Sequence, residues 1–284
     1  MASASTTPTL SGMKYRVVNT LGEGAGSTIL QIADKNGGKR YALKTVRKHE
    51  PEDDIYIDQL RTEYEAAQKL NHPAIARIYD LKMKKSWFRV VGADLLMELV
   101  DGKTLDEIEA PELSQLVLMF SQVASAMAHM HRRGVYHGDL KPSNIMLTKN
   151  GQVKLIDFGT AWVRGVDKNR VQGTPQYIAP EQASEKVVNE RTDIYNLGAT
   201  MYRMFTGRYA QPDIPRAGVE RKLTAVNKIN PRVLSKLNNL VLSCLQLNPE
   251  KRPAGMFEIR ETLSAVIKEM GLEEVELRGA DEED

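Results

Sequence analysis

Several polar residues in the second third of the chain have types and spacing that suit phosphate chemistry. The segment 137–144 brings Asp139, Lys141 and Asn144 within six residues of a loop that also contains a proline. Asp157 follows thirteen residues after Asn144, directly behind an apolar run. Asparagine and aspartate carry the hard oxygen atoms that Mg²⁺ prefers. Such a cluster also suits ordinary capping of turns, so the residue types alone leave both interpretations open.

A glycine-rich turn near the N terminus could hold phosphate groups. The sequence LGEGAGSTI at 21–29 contains glycines that let backbone N–H groups approach an anion closely. A plain hairpin would use the same residues. A dinucleotide-binding loop would lead into a helix, whereas β-branched residues follow here, so that alternative is disfavoured. Lys44, 18 residues after Gly26, could hold phosphate oxygens if Glu63 or Glu65 orients it.

Hydrophobic periodicity divides the chain into a strand-rich first part and a mainly helical second part. Short β-rich runs predict strands at 15–21, 27–34, 40–46, 77–81 and 94–100, and a later hairpin at 144–156. Spacing of three and four between apolar residues predicts helices at 55–70, at 116–133 and through most of the chain after 191. A short link near 98–102 joins the two parts, and ligand sites commonly lie at such junctions.

Composition limits the partners and the compartment. The 284 residues carry a formal net charge of +2, which does not favour a nucleic-acid partner. A single cysteine, Cys244, excludes a disulfide within the chain and favours a reducing, cytoplasmic location. The first residues lack the apolar region of a secretory signal, and no apolar run has the length of a membrane span. We expect a disordered tail at 1–13 and an acidic tail at 271–284.

Taken in order, the motifs resemble the eukaryotic-like protein kinase superfamily. The glycine-rich turn is followed by Ala-x-Lys at Lys44, a helix glutamate, HGDLKPSN at 137–144, DFG at 157–159 and GTPQYIAPE at 173–181. The resemblance extends over residues 14–268. It implies an ATP-dependent protein serine/threonine kinase, and the phrases DIYNLGATMYRMFTGR and LNPEKRP are similar to its bacterial branch.

The resemblance also implies the architecture. The expected fold is α+β and bilobal, with an ATP cleft between a small β-rich lobe and a larger helical lobe. The expected bounds are 14–97 for the N-lobe, 98–102 for the hinge and 103–270 for the C-lobe. The expected partners are ATP and protein substrates with Ser or Thr acceptors.

Roles for individual residues follow from the same resemblance. Asp139 matches the catalytic base and Lys141 the residue that steadies the transferring phosphoryl group. Lys44 and Glu63 match the ion pair that holds the phosphates. The implied ligands of Mg²⁺, or of Mn²⁺ in its place, are Asn144 and Asp157. The implied nucleotide contacts are Leu21, Gly22, Glu23, Gly24, Ala25, Gly26, Ser27, Ile29, Ala42, Lys44, Met97, Glu98, Val100 and Met146.

Three further residues match structural positions of the superfamily. Glu181 and Arg252 resemble an ion pair inside the larger lobe. Asp193 resembles the helix residue that binds the backbone of the catalytic loop.

Two positions depart from the superfamily pattern. Ser27 stands where the third glycine is expected, and Gly26 comes one place early. Gly138 replaces an arginine that normally pairs with a phosphorylated residue, and the stretch 161–173 contains no Ser, Thr or Tyr. We therefore expect a kinase that does not depend on phosphorylation of this activation segment, with Trp162 as a packing anchor. The alternative is that Arg164 or Arg170 receives a phosphate from elsewhere.

Two other function classes compete with a protein kinase. A pseudokinase would act as a nucleotide- or partner-binding scaffold, but all the residues assigned to catalysis are present. A small-molecule kinase would not need the segment 173–181, which forms a peptide platform in the superfamily. Lys141 and Thr174, on either side of the base, favour Ser/Thr over Tyr as the acceptor.

Overall fold

A computed structural model of the 284-residue chain describes residues 8–24, 26–164, 172–185, 187–210 and 223–273. The described chain forms two compact units. The first unit contains the chain as far as Asn71 together with Ala76–Asp101. The second unit contains His72–Ile75 and the chain from Gly102 onward.

The first unit is a five-stranded antiparallel sheet with one helix. The strand order is β1-β2-β3-β5-β4, and every neighbouring pair is antiparallel. A short 3₁₀ turn at Pro51–Asp53 precedes the helix, which buries Ile57 and Leu60. The elements are β1 Tyr15–Gly24, β2 Ser27–Asp34, β3 Arg40–Arg47, α1 Asp54–Ala67, β4 Ile78–Ser86 and β5 Arg89–Glu98. The predicted strands and helix of this part are confirmed.

Leu10 corrects the prediction of a disordered tail at 1–13. Its side chain is buried in a cluster with Ile32, Tyr41, Leu43 and Leu96. Its backbone N–H donates to Asp80 Oδ2 at 2.6 Å. A lone leucine in a polar segment gives no periodic signal, yet burying it removes apolar surface from water. The prediction is therefore wrong at Leu10, and residues 1–7 lie outside the described residues.

The second unit is mainly helical. Its short strands form a three-stranded sheet, β6-β8-β9, and a separate pair, β7 with β10. Among the described residues, no helix is both long enough and apolar enough to cross a membrane. The helices are α2 Leu113–Arg132, α3 Pro180–Glu185, α4 Glu190–Thr206, α5 Val226–Ile229, α6 Ser235–Cys244 and α7 Met256–Glu269. The strands are β6 Gly102–Thr104, β7 Val135–Tyr136, β8 Ile145–Thr148, β9 Val153–Leu155 and β10 Trp162–Val163.

Helix α2 runs through the core of the second unit. The apolar residues whose spacing predicts this helix are all buried, namely Leu116, Phe120, Val123 and Met127. Phe120 meets Phe205 of α4 edge to face, with ring centroids 5.5 Å apart. Aromatic pairs in this arrangement add stability beyond the area they bury.

Helices α4 and α6 approach each other at a glycine. A Cβ atom built on Gly198 would lie 2.6 Å from Cys244 Cβ, so no larger residue fits there without a shift. Cys244 is fully enclosed as a result. Burial raises the pKa of its thiol to about 12.

Candidate active site

The glycine-rich turn of the first unit closes onto helix α1. Gly22 and Gly24 end β1, and Ser27 begins β2 opposite Gly24. Gly26 has φ +73°, and a Cβ atom there would lie 2.2 Å from the ring of Tyr56. Only glycine meets both requirements. The displaced third glycine of the motif is thus explained by the neighbouring ring, while Ala25 lies outside the described residues.

Lys44 of β3 and Glu63 of α1 form an ion pair. The distance from Lys44 Nζ to Glu63 Oε2 is 2.9 Å, and the side chains are 15% and 1% exposed. Glu65 is exposed on the same helix. The prediction that Glu63 rather than Glu65 pairs with Lys44 is confirmed. The pairing places a cation on the sheet and compensates a buried carboxylate, which would be costly if left alone.

The strand register fixes the positions of the other residues of the first unit that the resemblance implies as nucleotide contacts. Ile29 lies opposite both Gly22 and Lys44, and Ala42 lies opposite Met97. Ala42 is buried, whereas Leu21, Ile29, Met97, Glu98 and Val100 keep at least partial exposure. The last assigned residue, Met146, belongs to β8 of the second unit and lies opposite Thr104.

The catalytic-loop segment of the second unit is held by Asp193 of helix α4. The backbone N–H groups of His137 and Gly138 donate to Asp193 Oδ2 and Oδ1, each at 2.8 Å. Gly138 has φ +73°, and a Cβ atom there would lie 3.2 Å from the Thr160 carbonyl oxygen. Glycine therefore relieves a strained backbone at the position where the superfamily has arginine. The role implied for Asp193 is confirmed.

His131 compensates the buried charge of Asp193. Its Nε2 lies 2.8 Å from Asp193 Oδ2, and its Nδ1 lies 3.3 Å from Glu190 Oε1 without hydrogen-bond alignment. Burial alone would lower the pKa of His131, but the interactions with Asp193 and Glu190 prevail and raise it to about 9. The imidazole is therefore a cation at neutral pH. Sequence analysis missed this residue, and the available signal was a histidine in the last turn of α2 just before the loop.

Asp139 is the centre of a closed polar network with Lys141 and Thr174. Its Oδ1 accepts from the Thr174 backbone N–H at 2.7 Å. Its Oδ2 accepts from Thr174 Oγ1 at 3.2 Å and lies 2.9 Å from Lys141 Nζ. Lys141 Nζ also donates to Thr174 Oγ1 at 2.7 Å. A carboxylate offers about four acceptor positions. The contacts found among the described residues thus leave room on Oδ1 for one further donor.

Asn144 and Asp157 offer oxygen atoms that fit a divalent cation. Asn144 Nδ2 donates to the Asp139 carbonyl oxygen at 2.9 Å, which leaves the amide oxygen as the group for a ligand. Ile156 N–H donates to the Asn144 carbonyl oxygen at 3.0 Å and so brings the next residue, Asp157, beside Asn144. Asp157 is exposed, with φ +64°. Mg²⁺ is commonly bound through one or two protein oxygens together with waters and phosphates.

A second ion pair lies inside the second unit. Arg252 Nη1 and Nη2 donate to Glu181 Oε1 and Oε2 at 2.7 and 2.9 Å. The same guanidinium donates to the carbonyl oxygens of Gln246, Arg191 and Leu247. The Arg252 side chain is 0% exposed. The pairing implied for Glu181 and Arg252 is confirmed.

The described ends of the activation segment are held by backbone pairing and side-chain contacts. Trp162 and Val163 of β10 pair with β7. Arg164 Nε and Nη2 donate to Tyr136 Oη at 3.2 and 3.0 Å. Gln182 Nε2 donates to the carbonyl oxygens of Gly138 and Gln172 at 2.6 and 2.7 Å. Arg170 lies outside the described residues.

Comparison with known proteins agrees with this geometry. Residues 15–264 match the protein kinase domain family. A probable serine/threonine-protein kinase of Streptomyces coelicolor is 32% identical over 90% of this chain and 40% of its own length. Serine/threonine-protein kinase PrkC of Bacillus subtilis is 28% identical over 90% of this chain and 40% of its own length.

A third relative, serine/threonine-protein kinase PknA of Mycobacterium tuberculosis, is 34% identical over 70% of this chain and 48% of its own length. The chain therefore belongs to the protein kinase family. It spans about 40% of the length of the first relatives it matches.

Proposed function

We propose that this chain transfers the γ-phosphoryl group of ATP to Ser or Thr hydroxyls of protein substrates, with Asp139 as the base. The observation that carries the proposal is the network of Asp139, Lys141 and Thr174. It fixes a mostly buried carboxylate and leaves room on one oxygen for a donor. A substrate hydroxyl in that position would be oriented for attack and could give up its proton to Oδ1.

Lys141 and Thr174 define the acceptor side of the proposal. Lys141 Nζ, 2.9 Å from the base, carries positive charge next to the place where the phosphoryl group would pass. Phosphoryl transfer depends mainly on positioning and on stabilisation of negative charge, so a fixed cation there lowers the barrier. The side chain of Thr174 fills the space beside the base, which favours a short hydroxyl over a tyrosine.

The nucleotide side of the proposal concerns the phosphate groups of ATP and a metal ion. Lys44, oriented by Glu63, would hold phosphate oxygens, and the glycines at 22, 24 and 26 would present backbone N–H groups. Asn144 and Asp157 would hold Mg²⁺. When bound, ATP supplies the transferred group and Mg²⁺ neutralises charge on its phosphates. Requirement for ATP and the single cysteine also support a cytoplasmic location.

The proposal includes independence from phosphorylation of the activation segment. Gly138 offers no guanidinium to a phosphate, and Arg164 already donates twice to Tyr136. Pairing of β10 with β7 gives the start of the segment order without a modification. The test is to dephosphorylate the protein, remove the phosphatase and follow peptide phosphorylation from the first turnover. A lag that is abolished by pre-incubation with ATP and mapped to a residue between 157 and 181 would refute this part.

The central experiment is phosphorylation of generic proteins with labelled ATP and Mg²⁺. We expect phosphoserine and phosphothreonine in the products, and predominant phosphotyrosine would contradict the proposal. Asp139→Asn should remove nearly all transfer because the neutral amide cannot take the proton. Asp58→Asn is the matched control, since Asp58 is an exposed carboxylate of α1 outside the network, and should leave transfer of the same generic protein largely intact.

A further inference from the structure

A large cavity in the second unit begins beside the Asp139 network. Its volume is about 760 Å³, and Lys141 and Thr174 form part of its wall. Polar groups contribute most of the remaining exposed wall, and Leu113, Leu116 and Phe205 add apolar atoms to it. The cavity is large enough for several side chains of an extended peptide. The cavity therefore extends away from Asp139, the carboxylate proposed to act on the acceptor hydroxyl.

Arg203 is a cation in this wall with capacity for a ligand. It lies in the last turn of α4, and its guanidinium carbon is 4.5 Å from the centre of the Tyr209 ring. One guanidinium nitrogen donates to the Gly207 carbonyl oxygen, which uses only part of its several N–H donors. The ring and the carbonyl fix the position of the guanidinium, and the side chain is half-buried.

The other charged groups of the wall are engaged differently. Lys141 lies 2.9 Å from Asp139, and Arg232 lies 3.8 Å from Glu112. Among the described residues, Arg203 has no carboxylate within ion-pair distance. Asp106 is the remaining acid of the wall, and it is exposed. The cavity thus contains one fixed cation whose charge the described chain does not compensate.

Tyr177 connects Arg203 to the reacting end of the cavity. Its backbone N–H donates to the Thr174 carbonyl oxygen at 2.9 Å, and its ring meets Tyr209 edge to face with centroids 5.9 Å apart. Burial raises the pKa of Tyr177, and the charges of both Arg203 and Asp139 act on its hydroxyl. Tyr177 therefore contacts both Thr174, which donates to Asp139, and Tyr209, whose ring lies against Arg203. An extended peptide rises about 3.3 Å per residue, so a few residues would bridge Asp139 and Arg203.

We propose that Arg203 binds an acidic side chain of the peptide substrate, a few residues from the acceptor hydroxyl. The inference rests on the proposed function and specifies its substrate class: Ser/Thr peptides with a nearby Asp or Glu. Guanidinium groups bind carboxylates through two parallel hydrogen bonds, and partial burial strengthens such a contact. Arg203 is then a residue that determines specificity and takes no part in the chemical step.

The test compares two threonine peptides that differ only in having Asp or Asn at the positions a few residues on either side of the acceptor. For the native chain we expect kcat/KM to be about five- to tenfold higher for the Asp peptide, as expected for one partly exposed charged hydrogen bond. The difference should appear in KM. Arg203→Met keeps the apolar stem and should bring the ratio close to one, with kcat for the Asn peptide unchanged.

Two further variants separate recognition from a general charge effect. Arg203→Lys keeps the charge but not the paired donors, so it should retain part of the preference. Arg208→Met removes a positive charge two residues after the end of α4, at an exposed position outside the cavity wall, and should leave the ratio unchanged. An equal loss of preference in Arg208→Met and Arg203→Met would overturn the proposal. If Arg203→Met fails to fold, Arg203→Lys provides the test, and a preference for the Asp peptide as large as in the native chain would overturn the proposal.

A binding measurement makes the inference independent of turnover. Fluorescently labelled Asp and Asn peptides with Val in place of the acceptor Thr are titrated against each variant and followed by anisotropy. The native chain should bind the Asp peptide more tightly, and Arg203→Met should bind both alike. Equal affinity of the native chain for the two peptides overturns the inference. A preserved binding preference without any phosphate transfer would instead refute the proposed function and leave this inference standing.

Discussion

The two units each contain an ion pair with a nearly buried carboxylate, and the two pairs are built differently. In the second unit, Arg252 meets Glu181 through two parallel hydrogen bonds, donates to surrounding carbonyl groups and has a fully enclosed side chain. In the first unit, Lys44 meets Glu63 at 2.9 Å and keeps 15% of its side chain exposed. A forked, enclosed guanidinium suits a permanent link between elements. A compact, partly exposed ammonium suits a charge presented to a ligand.

Removal of Arg252 should give the largest effect on stability. Arg252→Met leaves the buried Glu181 carboxylate without its cation, with only the donor from Thr192, and removes the donor of three carbonyl groups. Loss of one partner of a buried pair typically costs about 3–5 kcal/mol. The free energy of unfolding in urea measures this. Arg232→Met is the control, because Arg232 and Glu112 are exposed and 3.8 Å apart, and such a pair contributes about 0–1 kcal/mol. Similar losses of unfolding free energy in both variants would show that the buried Arg252–Glu181 pair stabilises the fold no more than the exposed Arg232–Glu112 pair.

Removal of Lys44 should instead affect catalysis most. Lys44→Met takes away a cation proposed to hold phosphate oxygens, and loss of one such contact typically lowers the rate by about 10²–10³. Steady-state phosphorylation of a protein substrate measures the loss, and thermal unfolding checks the fold. Lys48→Met, in the same unit, removes a lysine that pairs with the exposed carboxylate of Asp54 and should retain activity. Nearly full activity of Lys44→Met would contradict the assignment.

His131 extends the comparison to a pair whose charge depends on pH. Its pKa is raised from 6.5 to about 9, so its stabilising effect is complete below pH 6.5 and is lost as the pH rises through 9. The loss should be on the order of 3 kcal/mol. Urea unfolding at pH 6, 8 and 9.5 measures it. His131→Gln should show a weaker dependence over this range, and an unchanged slope in that variant would reject the ion pair with Asp193.

His72 should make a smaller contribution to the pH dependence of stability, with the opposite sign to that of His131. Burial and the neighbouring His129 lower its pKa to about 3, and its Nδ1 accepts from the Ala74 N–H at 3.1 Å. Its stabilising effect is present above pH 6.5 and is lost as the pH falls, by about 2 kcal/mol near pH 5. His72→Asn keeps an acceptor in place of Nδ1 and should reduce the fall in the free energy of unfolding between pH 6.5 and pH 5. A fall as large as in the native chain would show that other groups cause it.

The sequence predicts the parts of this molecule that have periodic or ordered signals. The long helix α2 follows from the spacing of Leu116, Phe120 and Val123, and the pairing of Lys44 with Glu63 follows from the motif order. Leu10 could not be predicted, because a single apolar residue in a polar segment has no period.

Other features depend on contacts between distant segments. Strands β7 and β10 contain two residues each and exist through pairing with each other. The charge of His131 and the cavity position of Arg203 arise where α4 meets residues far from it in sequence. The roles assigned to the nucleotide-binding residues remain predictions.

The enclosure of Cys244 has a practical consequence for labelling. The chain contains one cysteine, and burial keeps its thiol out of contact with solvent. The same burial raises its pKa to about 12, so the thiol stays protonated at neutral pH. The thiolate is the species that reacts with maleimides and iodoacetamides. The folded chain should therefore behave toward these reagents as a protein without cysteine. A cysteine introduced at the exposed Ser86 would accept a dye at that site alone, with no need to replace Cys244 beside Gly198.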